Sequence, residues 1–136
     1  MAIKFPTDEW IKALCDEVNK SEAYAQAAAT WEGDFYFVVE SGSSLSEPVY
    51  LHMDLWHGKC RGAGLMPDPA EKKPAFVLSA SVSDWRKVIE KQLDPIKGMM
   101  TRKLKLKGDM MKIMKVPKAA AELVNCCTLV PTEFPE

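Results

Sequence analysis

Between Asp94 and Val116 the chain, DPIKGMMTRKLKLKGDMMKIMKV, changes periodicity twice, and few architectures accommodate that order. Pro95 follows an aspartate and suits a first helical turn, where its missing N–H would be unpaired anyway. Gly98 ends that turn. From Arg102 to Lys107 the pattern alternates: Leu104 and Leu106 face one way, Lys103, Lys105 and Lys107 the other, as in a half-buried strand. Gly108 frees the backbone for a sharp reversal, and Asp109 N-caps a methionine-lined helix over 110–115. The stretch reads as turn, strand, tight turn, helix.

The flanking sequence supplies the remaining elements. Thr7 caps a helix whose Trp10, Ile11, Leu14 and Val18 recur at helical spacing, and Ser21 caps a second, alanine-rich helix through Ala29. Three alternating runs follow: 34–40 with Phe35, Phe37 and Val39 on one face, 49–56 with Val49, Leu51, Met53 and Leu55, and 59–66 thinned by Gly62 and Gly64. Short connections make these an antiparallel meander. A proline-rich crossover over 67–74 leads to a fourth strand, 75–80, with Phe76, Leu78 and Ala80 on one side. Ser83 then caps a helix over 84–92 with Trp85, Val88 and Ile89 inward. Pro117 starts a last helix with Ala120, Leu123, Val124, Cys127 and Leu129 inward, and Pro131 stops it before a tail free of regular structure. The expectation is an α+β fold: a five-stranded, largely antiparallel sheet covered on one face by helices. At 136 residues and 47% hydrophobic content the chain, 1–136, reads as one domain with a sizeable core.

The series Asp94-Pro95, Leu104, Leu106, Gly108-Asp109 and Met114-Lys115-Val116 resembles the sterol carrier protein type-2 family. There a Gly-x-Leu-x-Ile-x-Gly-Asp strand follows an Asp-Pro turn and leads into a helix. Thr101-Arg102 stands where the family has its first glycine, and the likeness runs from about residue 35 to 129. The resemblance implies an apolar cavity between sheet and helices, closed by the C-terminal segment, with the helix after Gly108-Asp109 lining it. Met99, Met100, Met110, Met111 and Met114 then become cavity residues, since flexible thioethers accommodate ligands of varied shape. So do Phe37, Met53, Phe76, Leu78, Trp85, Leu104, Leu106, Leu123, Val124 and Cys127, with Phe134 as a plug or gate. From periodicity alone, filling the space between helices and sheet is the better reading of the methionines; the resemblance reverses it.

No nucleophile elbow, phosphate-cradling loop or dinucleotide fingerprint is present, so no catalytic residue is assigned. His52 and Asp54 fall on the outer face of their strand and, with His57, read as solvated residues. Cys15, Cys60, Cys126 and Cys127 include no Cys-x-x-Cys pair, read as reduced packing residues, and give no reason to expect a metal or cofactor. The N-terminus has no apolar signal-peptide core, the C-terminus has no Ser-Lys-Leu address, and no apolar run approaches the ~20 residues of a membrane span. The expected location is cytoplasmic.

A formal charge of −1 conceals an asymmetry: residues 1–57 hold ten acids against three lysines, and residues 58–136 fifteen Lys/Arg against nine acids. Lys103, Lys105 and Lys107 have two readings: a guarded sheet edge, or a contact for anionic membranes or a coenzyme A moiety. Nucleic acid is a poor partner, because aromatics are not interleaved with the basic patch and the pI is near 6.1. The expectation is therefore a non-enzymatic lipid-binding domain, monomer or homodimer. It would take up a fatty acid, fatty acyl-CoA or sterol-like lipid, carry it, and touch anionic membranes transiently. The alternative is an accessory or dimerisation module that docks on a partner enzyme through the same groove, since the family's fold also occurs appended to acyltransferases and alkyl sulfatases.

Overall fold

A two-residue strand, β1 (Ile3–Lys4), precedes helix α1 (Asp8–Lys20), where Thr7 Oγ1 accepts the amide of Trp10 at 3.1 Å. The computed structural model describes residues 2–135. Asp8 and Glu9 sit in the first turn of α1, favourable to the helix dipole, and Trp10, Ile11, Leu14 and Val18 are buried. Ser21 ends α1 and caps α2 (Glu22–Ala27), its Oγ accepting the amide of Tyr24 at 3.0 Å.

The meander forms as expected: β2 (Glu32–Val39), β3 (Val49–Trp56) and β4 (Lys59–Leu65) pair antiparallel. A bulge between Asp54 and Leu55 shifts the β3–β4 register, so that Asp54 opposes Gly62 and Leu55 opposes Cys60. α1 lies across β4, and Asp8 Oδ1 accepts the amide of Leu65 at 2.9 Å. After the crossover, β5 (Phe76–Ala80) pairs parallel with β2, and β6 (Lys105–Lys107) closes the sheet antiparallel to β5. The order β4-β3-β2-β5-β6 is thus a mixed sheet, antiparallel at every pairing except β2–β5. Between β5 and β6 lie α3 (Val82–Ile89) and α4 (Pro95–Met100). After β6 come α5 (Met110–Met114), α6 (Pro117–Thr128) and β7 (Thr132–Glu133). Helices cover one face of the sheet, with α6 packed against all five others.

Local expectations fail at five places. The strand expected from Arg102 begins only at Lys105, because Arg102 takes φ 63° and closes α4 instead. The chain then turns so that the Leu104 amide reaches the Gly98 carbonyl at 3.0 Å. Gly98 therefore does not end the turn but lies inside α4, where a Cβ would come within 2.9 Å of the Leu104 side chain. Ser81, not Ser83, caps α3: its Oγ accepts the Asp84 amide at 3.1 Å, and the helix starts two residues earlier with Val82 buried. Leu129 is 62% exposed, because the last turn of α6 carries it off the inward stripe. The tail is not free of regular structure, since β7 pairs in parallel with β1, with Ile3 N–H donating to Pro131 (2.8 Å) and Phe5 N–H to Glu133 (2.9 Å).

The reversal at Gly108 does need glycine. Its φ is +133°, and a Cβ there would meet Phe76 at 2.5 Å and the Ala75 carbonyl at 2.9 Å.

Candidate functional site: an apolar cavity beneath the helices

The inner face of the sheet is an aromatic surface. Phe35 stacks on Phe37 at 5.1 Å and on Phe76 at 5.0 Å, because β2 and β5 pair in register at that point. Trp31 continues the stack at 5.8 Å from Phe35, and Trp85 from α3 meets Phe37 edge-on at 5.8 Å. Above this floor the helices do not close completely. A cavity of about 110 Å³ remains, with Phe35, Phe37, Val39, Leu51, Leu55 and Leu78 below. Trp85, Val88, Ile89, Pro95, Met99, Ile113, Val116, Ala119, Ala120, Leu123, Val124 and Cys127 roof it, and Phe5, Trp10, Leu14, Tyr24 and Trp31 complete the walls.

The polar atoms of these walls are turned away or neutral. The indole N–H of Trp31 donates to Gly33, that of Trp85 to Val38 and that of Trp10 to Thr132, each at 2.9 Å, so the rings offer carbon to the cavity. Burial pushes the Cys127 thiol up to about 12 and also raises the Tyr24 phenol, so both are uncharged at neutral pH. Such a space excludes charge and favours hydrocarbon. For scale, a dry cavity of roughly 150 Å³ admits one benzene ring. A long chain therefore fits only as the roof helices move apart.

Of the residues expected to line the cavity, Phe37, Leu78, Trp85, Met99, Leu123, Val124 and Cys127 do so. Met53 and Phe76 are buried in the core without reaching it, and Leu104 is spent filling the hollow at Gly98. Leu106 and Met110 pack against the core from its margin. Met100, Met111 and Met114 are 63%, 65% and 40% exposed. The reason is geometric. In α5 the inward positions belong to Ile113 and, one turn on, Val116, which leaves Met111 and Met114 on the opposite side; in α4, Met99 turns in and its neighbour Met100 turns out. Phe134 packs behind the wall, edge-on to Phe5 at 5.6 Å with the Arg86 guanidinium 4.9 Å over its ring.

The roof did carry a legible signal. Ile113, Val116, Ala120, Leu123, Val124 and Cys127 continue one helical stripe across Pro117, and the proline obscures it. Phe5 carried none, because the clasp of β1 on β7 puts it in place.

The outer face differs. The 66–75 connection folds over it at Tyr36, which is buried; the Tyr36 hydroxyl donates to the Pro69 carbonyl at 3.1 Å and accepts the Lys72 amide at 3.3 Å, and the Ala75 amide donates to Asp34 Oδ1 at 2.8 Å. His52 is consequently not solvated: it is 8% exposed, with Nε2 2.8 Å from Asp34 Oδ2. Burial alone would raise the Asp34 carboxyl. The hydrogen bonds from His52 and the Ala75 amide outweigh it and hold the carboxyl below its usual range. Next to this pair, Glu32 meets His57 at 2.6 Å and Asp54 takes two bonds from Arg61 at 3.1 and 3.2 Å. Lys72, Lys73 and Lys112 edge the same cleft, whose lining includes no hydroxyl or thiol to act as a nucleophile. Among the described residues no three His, Cys, Asp or Glu side chains are arranged to hold a metal. No helix among them is long and apolar enough to cross a membrane.

Comparison with known proteins bears on this geometry. The SCP-2 sterol transfer family matches residues 11–121. The chain is similar to a sterol carrier protein 2 crystal structure at 36% identity, with a TM-score of 0.84 over 91% of this chain and 97% of that one. It is equally similar to a Thermus thermophilus protein described as conserved, hypothetical and a candidate sterol carrier, at 35% identity, TM-score 0.84, over 93% and 90% of the two chains. The apo sterol carrier protein 2 of Yarrowia lipolytica shares the fold at 17% identity and TM-score 0.60, over 85% and 87%. No curated protein sequence matches. With the match spanning most of its length and the sheet, helices and cavity in place, this chain belongs to the SCP-2 sterol transfer family.

Proposed function

We propose that residues 1–136 act as one non-enzymatic lipid-binding domain that buries a single acyl chain or sterol-like ring system and carries it between membranes. The observation that carries this reading is the uncharged cavity between sheet and helices. The driving force is transfer of hydrocarbon out of water. A sixteen-carbon chain offers ~10 kcal/mol at ~0.8 per methylene before the costs of ordering it and opening the roof. That margin supports micromolar binding without a catalytic group. The roof is suited to opening, since α4 and α5 are one-turn helices held by few buried side chains.

Titration with a fluorescent long-chain fatty acid or acyl-CoA tests the reading. The expected result is saturable one-to-one binding in the micromolar range, with co-purified lipid visible by native mass spectrometry. Absence of saturable binding across fatty acids, acyl-CoAs and sterols rejects it.

A further inference from the structure

The exposed face of α5 is difficult to explain as part of a free surface. Met111 and Met114, 65% and 40% exposed, lie one turn apart on the same side of the helix. They stand in the most basic part of the chain: residues 97–118 hold eight Lys/Arg and a single acid, Asp109. Of those eight, only Lys105 meets a carboxylate among the described residues, Glu40 at 3.1 Å, and the Lys112 ammonium bonds the main-chain oxygen of Glu32. Lys97, Arg102, Lys103, Lys107, Lys115 and Lys118 have no such partner there. We propose that Met111 and Met114, with the unpaired cations that flank them in sequence, dock on an anionic lipid bilayer. The thioethers would enter the headgroup region while the ammonium groups meet lipid phosphates.

The chemistry favours a bilayer over other occupants. Protein interfaces are enriched in aromatics, Met and Arg but depleted in lysine; this face shares the methionines, yet its unpaired cations are five lysines against one arginine and residues 97–118 hold no aromatic. A second copy of the chain would set the same cationic patch against itself across a two-fold axis, which repels. Flexible, unbranched side chains with hydrated point charges fit a fluid surface that has no fixed pockets. The placement also serves the proposed lipid carriage, on which this inference rests: Ile113 in α5 and Met99 in α4 belong to the cavity roof. The element in contact with lipid headgroups would then be the one that must move to admit a chain.

Co-sedimentation with vesicles of equimolar phosphatidylglycerol and phosphatidylcholine, and with phosphatidylcholine alone, tests the proposal. The natural sequence should bind the anionic vesicles, more weakly as salt is raised, and not the neutral ones. Met111→Gln with Met114→Gln should lower that binding by roughly ten-fold or more. Leu129→Gln is the control: equally exposed, it lies at the far end of α6, roughly 18 Å away along the helix, and should change nothing. Wild-type binding by the double variant, or an equal loss in Leu129→Gln, overturns the proposal. So does a self-associating natural chain that the double variant converts to monomer. Fatty-acid titration in solution is read separately: if it fails while vesicle binding still tracks the two methionines, the docking face stands and the carrier reading falls.

Discussion

The two faces of β2 and β3 are built from neighbouring residues of the same strands, yet they enclose opposite chemistries. Phe35 and Phe37 turn inward onto a cavity walled by hydrocarbon; Asp34 and Tyr36, one residue along, turn outward into ion pairs and hydrogen bonds. The inner face is buried by helices; the outer is covered in part, with Tyr36, Val38 and His52 buried and the 66–75 connection bonded to Tyr36, while Glu32 and Trp56 stay exposed. Strand alternation therefore sorts residues between an apolar interior and a partly covered polar face, not simply between core and water. The acids Glu32, Asp34 and Asp54 of the outer face each have a partner, whereas the inner face stays apolar because Trp31 and Trp85 spend their indole N–H groups on the main chain.

Substitutions on the two faces should separate stability from ligand binding. Trp85→Ala removes a buried indole and its bond to Val38, and should cost about 3–5 kcal/mol in denaturant unfolding while altering fatty-acid affinity. If binding were untouched, Trp85 would be wall in name only.

Asp34→Asn strikes the outer face, leaving His52 without its carboxylate, and should cost about 1–3 kcal/mol at neutral pH with lipid affinity unchanged. The sign of its pH dependence follows from the depressed carboxyl. The stabilisation it supplies is fully present above the ordinary value of 3.8 and is lost as pH falls through the lower folded value. The Asn variant should therefore be less stable than the natural chain at neutral pH and converge with it in strong acid. A constant gap between the two unfolding curves across that range would show that the carboxylate charge is irrelevant.

Tyr36→Phe should be the mildest change, about 0.5–1.5 kcal/mol, because one hydroxyl with main-chain contacts to Pro69 and Lys72 of the 66–75 connection is lost. Protease susceptibility confined to that connection would confirm what the hydroxyl holds down; unchanged cleavage would indicate that the connection is held by other contacts.

The sequence by itself determined most of the elements and their faces, though not the β1–β7 pair or the start of β6. The stripe of α1, the alternation of the meander, the caps at Thr7, Ser21 and Asp109, and the Gly108 reversal are set by interactions within a few residues of chain, and all are present. The motif from Asp94 to Val116 also marked the family. Tertiary structure alone decided what covers each face. His52 reads as solvated until the 66–75 connection lies over it, and Met111 and Met114 read as cavity lining until Ile113 and Val116 take the inward positions, whereas Met99 does line the cavity. Phe5 and Phe134 acquire a place only when strands from opposite ends of the chain pair. Periodicity reports which side of an element is apolar. Whether that side meets core, cavity or a lipid surface depends on neighbours distant in sequence, and that information is not local.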